Sequence, residues 1–149
     1  MMDITENIFS TFDTQNRKNT PENFYHAFVL GLLVDLKDQY DIRSNRESGF
    51  GRYDICLFPK ERYGRGVVIE FKVLQAKKDK TLTETCTNAL MQIQKKQYVA
   101  ELVQHNIPSS SIFVYGFAFH GKEVLIRGGA YDALDSMLKP NFSDCPCPL

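Results

Sequence analysis

The chain has 149 residues, enough for one domain with its own core. Its apolar fraction of 43% and charged fraction of 24% are ordinary for a globular protein, and no apolar run approaches the ~18 residues of a membrane-spanning helix. The formal net charge is zero, which argues against a strongly basic nucleic-acid binder but leaves room for a local basic surface.

Residues 1–19 are polar and lack an apolar h-region, so they do not read as a signal peptide; they are expected to be an arm or linker, with Phe9 and Phe12 as docking anchors. Thr20-Pro21-Glu22 is a helix start, with Thr as N-cap, Pro at the first position and an acid in the first turn. A helix is expected from about Pro21 to Gln39, with Phe24, Ala27, Phe28, Gly31, Leu32 and Val34-Asp35-Leu36 at roughly helical spacing. Tyr40–Glu47 reads as a first strand. Gly49 and Gly51 flank a turn, and Arg52–Phe58 is a second strand stopped by Pro59. After a charged turn comes a third strand, Val67–Val73, apolar enough to be central. Thr83–His105 reads as one long helix with Ala89, Ile93, Ala100 and Val103 on its apolar stripe. Ile112–Phe119 is a fourth strand, His120-Gly121-Lys122 a tight turn, Glu123–Arg127 a fifth strand, and a short helix is expected around Tyr131–Leu138.

Only the long helix can join two parallel strands, and the first three strands can form a meander. The fold class is therefore α/β, a mixed central sheet flanked by helices. The expected organisation is an arm at 1–19, a core at 20–128 and an extension at 129–149. Cys56, Cys86, Cys145 and Cys147 match no zinc spacing and, with no secretion signal, read as reduced thiols of a cytoplasmic protein.

Three residues carry the chemistry. Asp54 heads the second strand, and Glu70 and Lys72 end the third, two apart and so on one face. A hairpin between these strands brings two carboxylates and an ammonium together. Such a cluster can hold a hard cation that activates water and neutralises charge developing on a substrate such as a phosphate. Mg²⁺ or Mn²⁺ takes oxygen ligands, here Asp54, Glu70 and the backbone carbonyl of Phe71, while Lys72 orients the water or stabilises the transition state. The bland alternative, a surface ion pair between Glu70 and Lys72, is worth little energetically.

Order and motif together resemble the PD-(D/E)XK nuclease superfamily, whose shared core is αβββαβ, here with an added strand. Asp54 matches its first acid, Glu70 its second and Lys72 its lysine; Tyr53 stands where Pro is usual. Glu22-Asn23-Phe24-Tyr25-His26, Ser44-Asn45-Arg46-Glu47-Ser48-Gly49, Gly51-Arg52-Tyr53-Asp54 and Ala89-Leu90-Met91-Gln92-Ile93 resemble a nuclease-like domain found after AAA-ATPase-like domains in bacterial proteins. The resemblance implies a restriction-endonuclease-like fold, and a contribution to the site from Glu22 or His26 on the first helix. It also implies that Gln92 contacts the lysine or the substrate, with Gln94 and Tyr98 as the alternative. Arg46 and Arg52 are candidate substrate contacts. Arg43, Lys77, Lys78, Lys80 and Lys95-Lys96 form basic clusters diluted by Glu47, Glu61, Asp79 and Glu84, so weak, salt-sensitive binding is expected.

Three functions follow as expectations. The first is a metal-dependent nuclease acting on DNA rather than RNA, without base-specific reading and able to pair as a homodimer for double-strand cuts. The second is an inactive nuclease-fold module that binds nucleic acid or a partner ATPase domain. The third is an α/β domain unrelated to nucleic acid. No ATPase loop of the Gly-x-x-x-x-Gly-Lys-Ser/Thr kind is present in the sequence.

Overall fold

Antiparallel pairing and one helical crossover set the architecture of the computed structural model, which describes residues 21–138, with side chains from Phe24 onward. Helix α1 spans Pro21–Leu33. The strands are β1 Tyr40–Ser44, β2 Glu47–Ser48, β3 Gly51–Arg52, β4 Ile55–Pro59, β5 Gly66–Val73, β6 Ile112–His120 and β7 Glu123–Ala130. Helices α2 Leu82–Lys96 and α3 Ala100–Gln104 lie between β5 and β6, and α4 Leu134–Leu138 follows β7. The main sheet runs β1-β4-β5-β6-β7, and β2-β3 forms a separate small hairpin. Among the described residues only β5 and β6 pair in parallel, across the α2 crossover. This is the mixed sheet flanked by helices that the sequence predicts.

Two apolar layers hold the sheet. On one face, Tyr25 and Val29 of α1 pack on Ile55, Leu57, Ile69, Phe71 and Phe119. On the other, Leu90 and Ile93 of α2, with Tyr98, Val99 and Leu102, pack on Cys56, Phe58, Val68, Ile112 and Val114.

Several elements differ from expectation, each for a local reason. Helix α1 stops at Leu33 and continues only as a 3₁₀ turn, Val34–Leu36, in which Val34 and Asp35 are exposed and only the partly buried Leu36 packs on the α1 layer, too little to sustain an α-helix. Its buried stripe is Tyr25 and Val29, four apart, whereas Ala27, Gly31 and Leu32 face solvent. The first strand ends at Ser44 because Asn45 takes φ 52°, and Glu47–Ser48 pairs instead with Gly51–Arg52. Pro59 belongs to β4, paired opposite Tyr40. The long helix is two helices: Gln97 adopts φ 52°, its N–H bonding to the Gln94 carbonyl and that of Tyr98 to Ile93, the pattern of a Schellman cap. After this break Leu102 is buried and Val103 is exposed, so the expected Ala100 and Val103 stripe does not face the core. Strand β7 runs to Ala130 because its pairing with β6 persists to Phe113. The arm and the Cys145 and Cys147 pair lie outside the described residues; Cys56 and Cys86 are buried free thiols.

Candidate active site

Strand alternation decides which β5 side chains meet which helix. Ile69 and Phe71 face the α1 layer and Val68 the α2 layer, so Glu70 and Lys72, in step with Val68, project toward α2. The antiparallel register pairs Ile55 with Ile69, which sets Asp54, just before β4, beside Glu70. On the other flank Glu70 is paired with Gly116 of β6. A Cβ at Gly116 would lie 2.8 Å from the Cys86 carbonyl oxygen and 3.0 Å from the Ala89 Cβ, so glycine lets α2 settle directly on the sheet. That approach carries Gln92 to Glu70. Gly116→Ala is therefore expected to destabilise the fold by ~1–3 kcal/mol through overpacking, and to lift Gln92 from the site. Urea titration measures the first effect, and wild-type stability in the variant would show that α2 is not held by this contact.

Gln92 is the hub. Its Nε2 donates to Glu70 Oε1 and, at 3.0 Å, to the Tyr98 hydroxyl, while its Oε1 accepts from Lys72 Nζ at 2.7 Å. The amide orientation follows from the partners, since Lys72 only donates and a carboxylate only accepts. Asp54 Oδ2 accepts the Phe71 backbone N–H at 2.7 Å. Among the described residues no direct ion pair joins Glu70 to Lys72, and Glu70 is only 4% exposed. The surface ion pair is thus replaced by a buried carboxylate and an ammonium spanned by an amide.

Burial, followed by the neighbouring Asp54 charge, pushes the Glu70 carboxyl well above the ordinary glutamate range. Burial also raises Asp54, against the opposing pull of the Phe71 N–H and of His26, Glu70 and Lys72. The two carboxyls interact side chain to side chain, and they titrate as a pair. Glu70 Oε2 is buried with no hydrogen-bond partner.

The other predicted residues are placed as follows. Glu22 is in the first turn of α1, and its side chain lies outside the described residues. His26 packs against the Phe71 ring at 5.5 Å, with Nε2 buried and unpartnered. Arg46 and Arg52 are exposed on or beside the β2-β3 hairpin, Arg52 opposite Glu47. Gln94 leaves the site and donates to Asp135 of α4. Arg43 is not available for phosphates: it bonds Glu101 at 2.6 Å and Asp41 at 2.9 Å and lies over the Phe58 ring. Of the lysine clusters, Lys78 lines one cleft that includes Lys72, and Lys95 and Lys96 line a second that also includes Lys72.

A hard divalent cation fits this donor set. Among the described residues no group of three or more His, Cys, Asp and Glu is placed to hold a metal. Two adjacent carboxylates suffice for Mg²⁺, which keeps several waters. The orphaned Glu70 Oε2 and two carboxyls that resist ionising side by side both call for a positive charge between them. No sequence pattern signals that the Phe71 N–H serves Asp54. Nor does any pattern set Tyr98 beside Gln92: six residues apart on one continuous helix they would face different ways, and the Gln97 break brings them together.

Residues 20–128 match the family model described as PD-(D/E)XK nuclease superfamily. No curated protein and no solved structure matches the chain.

Proposed function

This chain belongs to the PD-(D/E)XK nuclease superfamily, and from that premise we propose that it is a divalent-metal-dependent nuclease that hydrolyses phosphodiester bonds in DNA. The observation that carries the reading is the Asp54 and Glu70 carboxyl pair, with Glu70 Oε2 buried and unpartnered, next to a Lys72 ammonium held by Gln92. Asp54, Glu70 and the Phe71 carbonyl are the proposed ligands of Mg²⁺ or Mn²⁺, with Glu22 as a further candidate. A cation bound there supplies Lewis acidity, lowering the pKa of a water and offsetting charge on the phosphate.

The chain's own residues do the rest. The Phe71 N–H fixes Asp54, and Gln92 fixes Glu70 and Lys72 relative to each other. Lys72 Nζ has three donors and uses one on Gln92, which leaves two for a water or a phosphate oxygen. Its fixed charge then meets the charge that develops in the transition state. A catalytically silent binding module needs neither the paired carboxyls nor the held ammonium. The neutral overall charge supports modest affinity for the chain alone, supplemented by a partner such as an ATPase domain or a second copy.

Nicking of supercoiled plasmid tests the reading. Relaxed and linear forms are expected to accumulate with Mg²⁺ or Mn²⁺ and not with EDTA. Intact DNA and RNA substrates with both ions would turn the assignment to the silent module.

A further inference from the structure

The β2-β3 hairpin presents one aromatic ring to solvent while its backbone is pinned. Phe50 is 71% exposed. Its N–H donates to the Lys96 carbonyl at 2.8 Å, at the C-terminal end of α2. Gly49, at φ +61°, rests so closely on this helix end that a Cβ would lie 2.3 Å from the same oxygen. Ser48 locks the hairpin's other side: its Oγ donates to the Tyr98 carbonyl at 2.9 Å and accepts the Glu101 N–H at 3.0 Å. Single exposed apolar residues are common and by themselves mean little. Tyr63 is more exposed still, at 88%, but it lies in the turn before β5, at the opposite end of that strand from Lys72. Phe50 is set apart by its rigid mounting and its surroundings.

Those surroundings lead to the site. The stem of Lys96 passes beside Gly51, with its Cδ 3.4 Å from the position of a Gly51 Cβ, and the Tyr98 hydroxyl is 3.2 Å from that position. Tyr98 in turn accepts from Gln92. Lys95 and Lys96 line the same groove as Lys72, Gln92 and the half-exposed Met91. An exposed aromatic residue on a pinned backbone, next in space to the Lys96 end of a groove that reaches Lys72, matches a single-strand track, in which bases stack on rings and lysines follow the backbone.

We propose that Phe50 is a stacking platform for an unpaired nucleobase at the rim of this groove, with Lys95 and Lys96 on the adjacent phosphates. This rests on the nuclease reading above and adds a preference for substrates with a single-stranded segment. Either DNA or RNA supplies the base, since every base has a π-face.

Anisotropy titrations of labelled single-stranded DNA, single-stranded RNA of the same sequence and blunt duplex DNA, in Ca²⁺ at low salt with substrate integrity checked on gels, test it. Phe50→Ala is expected to weaken binding of at least one single strand by about 5- to 150-fold, and to leave the duplex within about twofold. Tyr63→Ala is expected to match wild type on every substrate. Phe50→Trp is expected to restore binding and, because the chain has no other Trp, to report stacking directly by quenched emission when the strand binds. Wild-type single-strand binding by Phe50→Ala, or unchanged Trp emission at saturation, would overturn the platform while leaving the nuclease reading standing. No binding of any substrate by a wild-type protein that also fails to nick plasmid would remove both.

Discussion

Lys72→Ala is expected to slow metal-dependent cleavage by about 10²- to 10³-fold, the size of a lost transition-state donor, with Mn²⁺ affinity nearly unchanged. The separation follows from the geometry. Lys72 forms no ion pair with Glu70, and Gln92 stands between them. Removing the ammonium therefore leaves both carboxyls in place and takes away only a donor aimed at developing charge. Asp54→Asn has the opposite profile. It halves the charge available to a cation and is expected to lower Mn²⁺ affinity and cleavage together. Single-turnover nicking and calorimetry on the two variants make the comparison. Wild-type rates in Lys72→Ala would remove Lys72 from the chemistry, and undiminished Mn²⁺ binding in Asp54→Asn would remove Asp54 from the metal site.

The parts of this site visible in the sequence are those governed by strand periodicity. Glu70 and Lys72 share a face because the side-chain period is two, and Asp54 reaches them because β4 and β5 form a hairpin in one register. The apolar run through Val68 and Ile69 marked β5 as central, and the long segment before Ile112 marked the crossover. What was not legible depends on contacts between distant segments. A glycine after Lys96 is the ordinary signal for a helix end, but here the left-handed residue is Gln97. The β2-β3 hairpin caps that end through Phe50 and Gly49, some fifty residues away in sequence, so no local pattern could reveal the break. Tyr98 joined the site only as a consequence. Arg43 illustrates the converse. It reads in the sequence as part of a basic cluster for phosphates, yet Glu101 and the Phe58 ring claim it for the structure.

Glu70→Gln is expected to abolish cleavage and yet to stabilise the metal-free protein at neutral and alkaline pH, by on the order of 1–3 kcal/mol, the cost of an uncompensated buried polar group. In the fold, burial and Asp54 make Glu70 hold its proton above its ordinary value of 4.5. Above that pH the folded state binds more protons than the unfolded chain. The pair's contribution to stability is therefore greatest at acidic pH and is lost as pH rises from the ordinary carboxyl range through the pair's elevated one. Glutamine copies the protonated shape and can still accept from Gln92 Nε2 through its carbonyl, so it removes this slope without emptying the pocket. A divalent cation offsets the same charge in the wild type. Mg²⁺ should thus raise the wild-type melting temperature more at pH 8 than at pH 5 and should leave Glu70→Gln almost unmoved. Thermal melts at the two pH values, in EDTA and in Mg²⁺, provide the test. A variant that melts below wild type at pH 8 in EDTA and still gains fully from Mg²⁺ would mean that Glu70 is neither the strained member of the pair nor a ligand. The expected result instead ties activity to instability: the side chain that weakens the empty fold is the one that holds the cation.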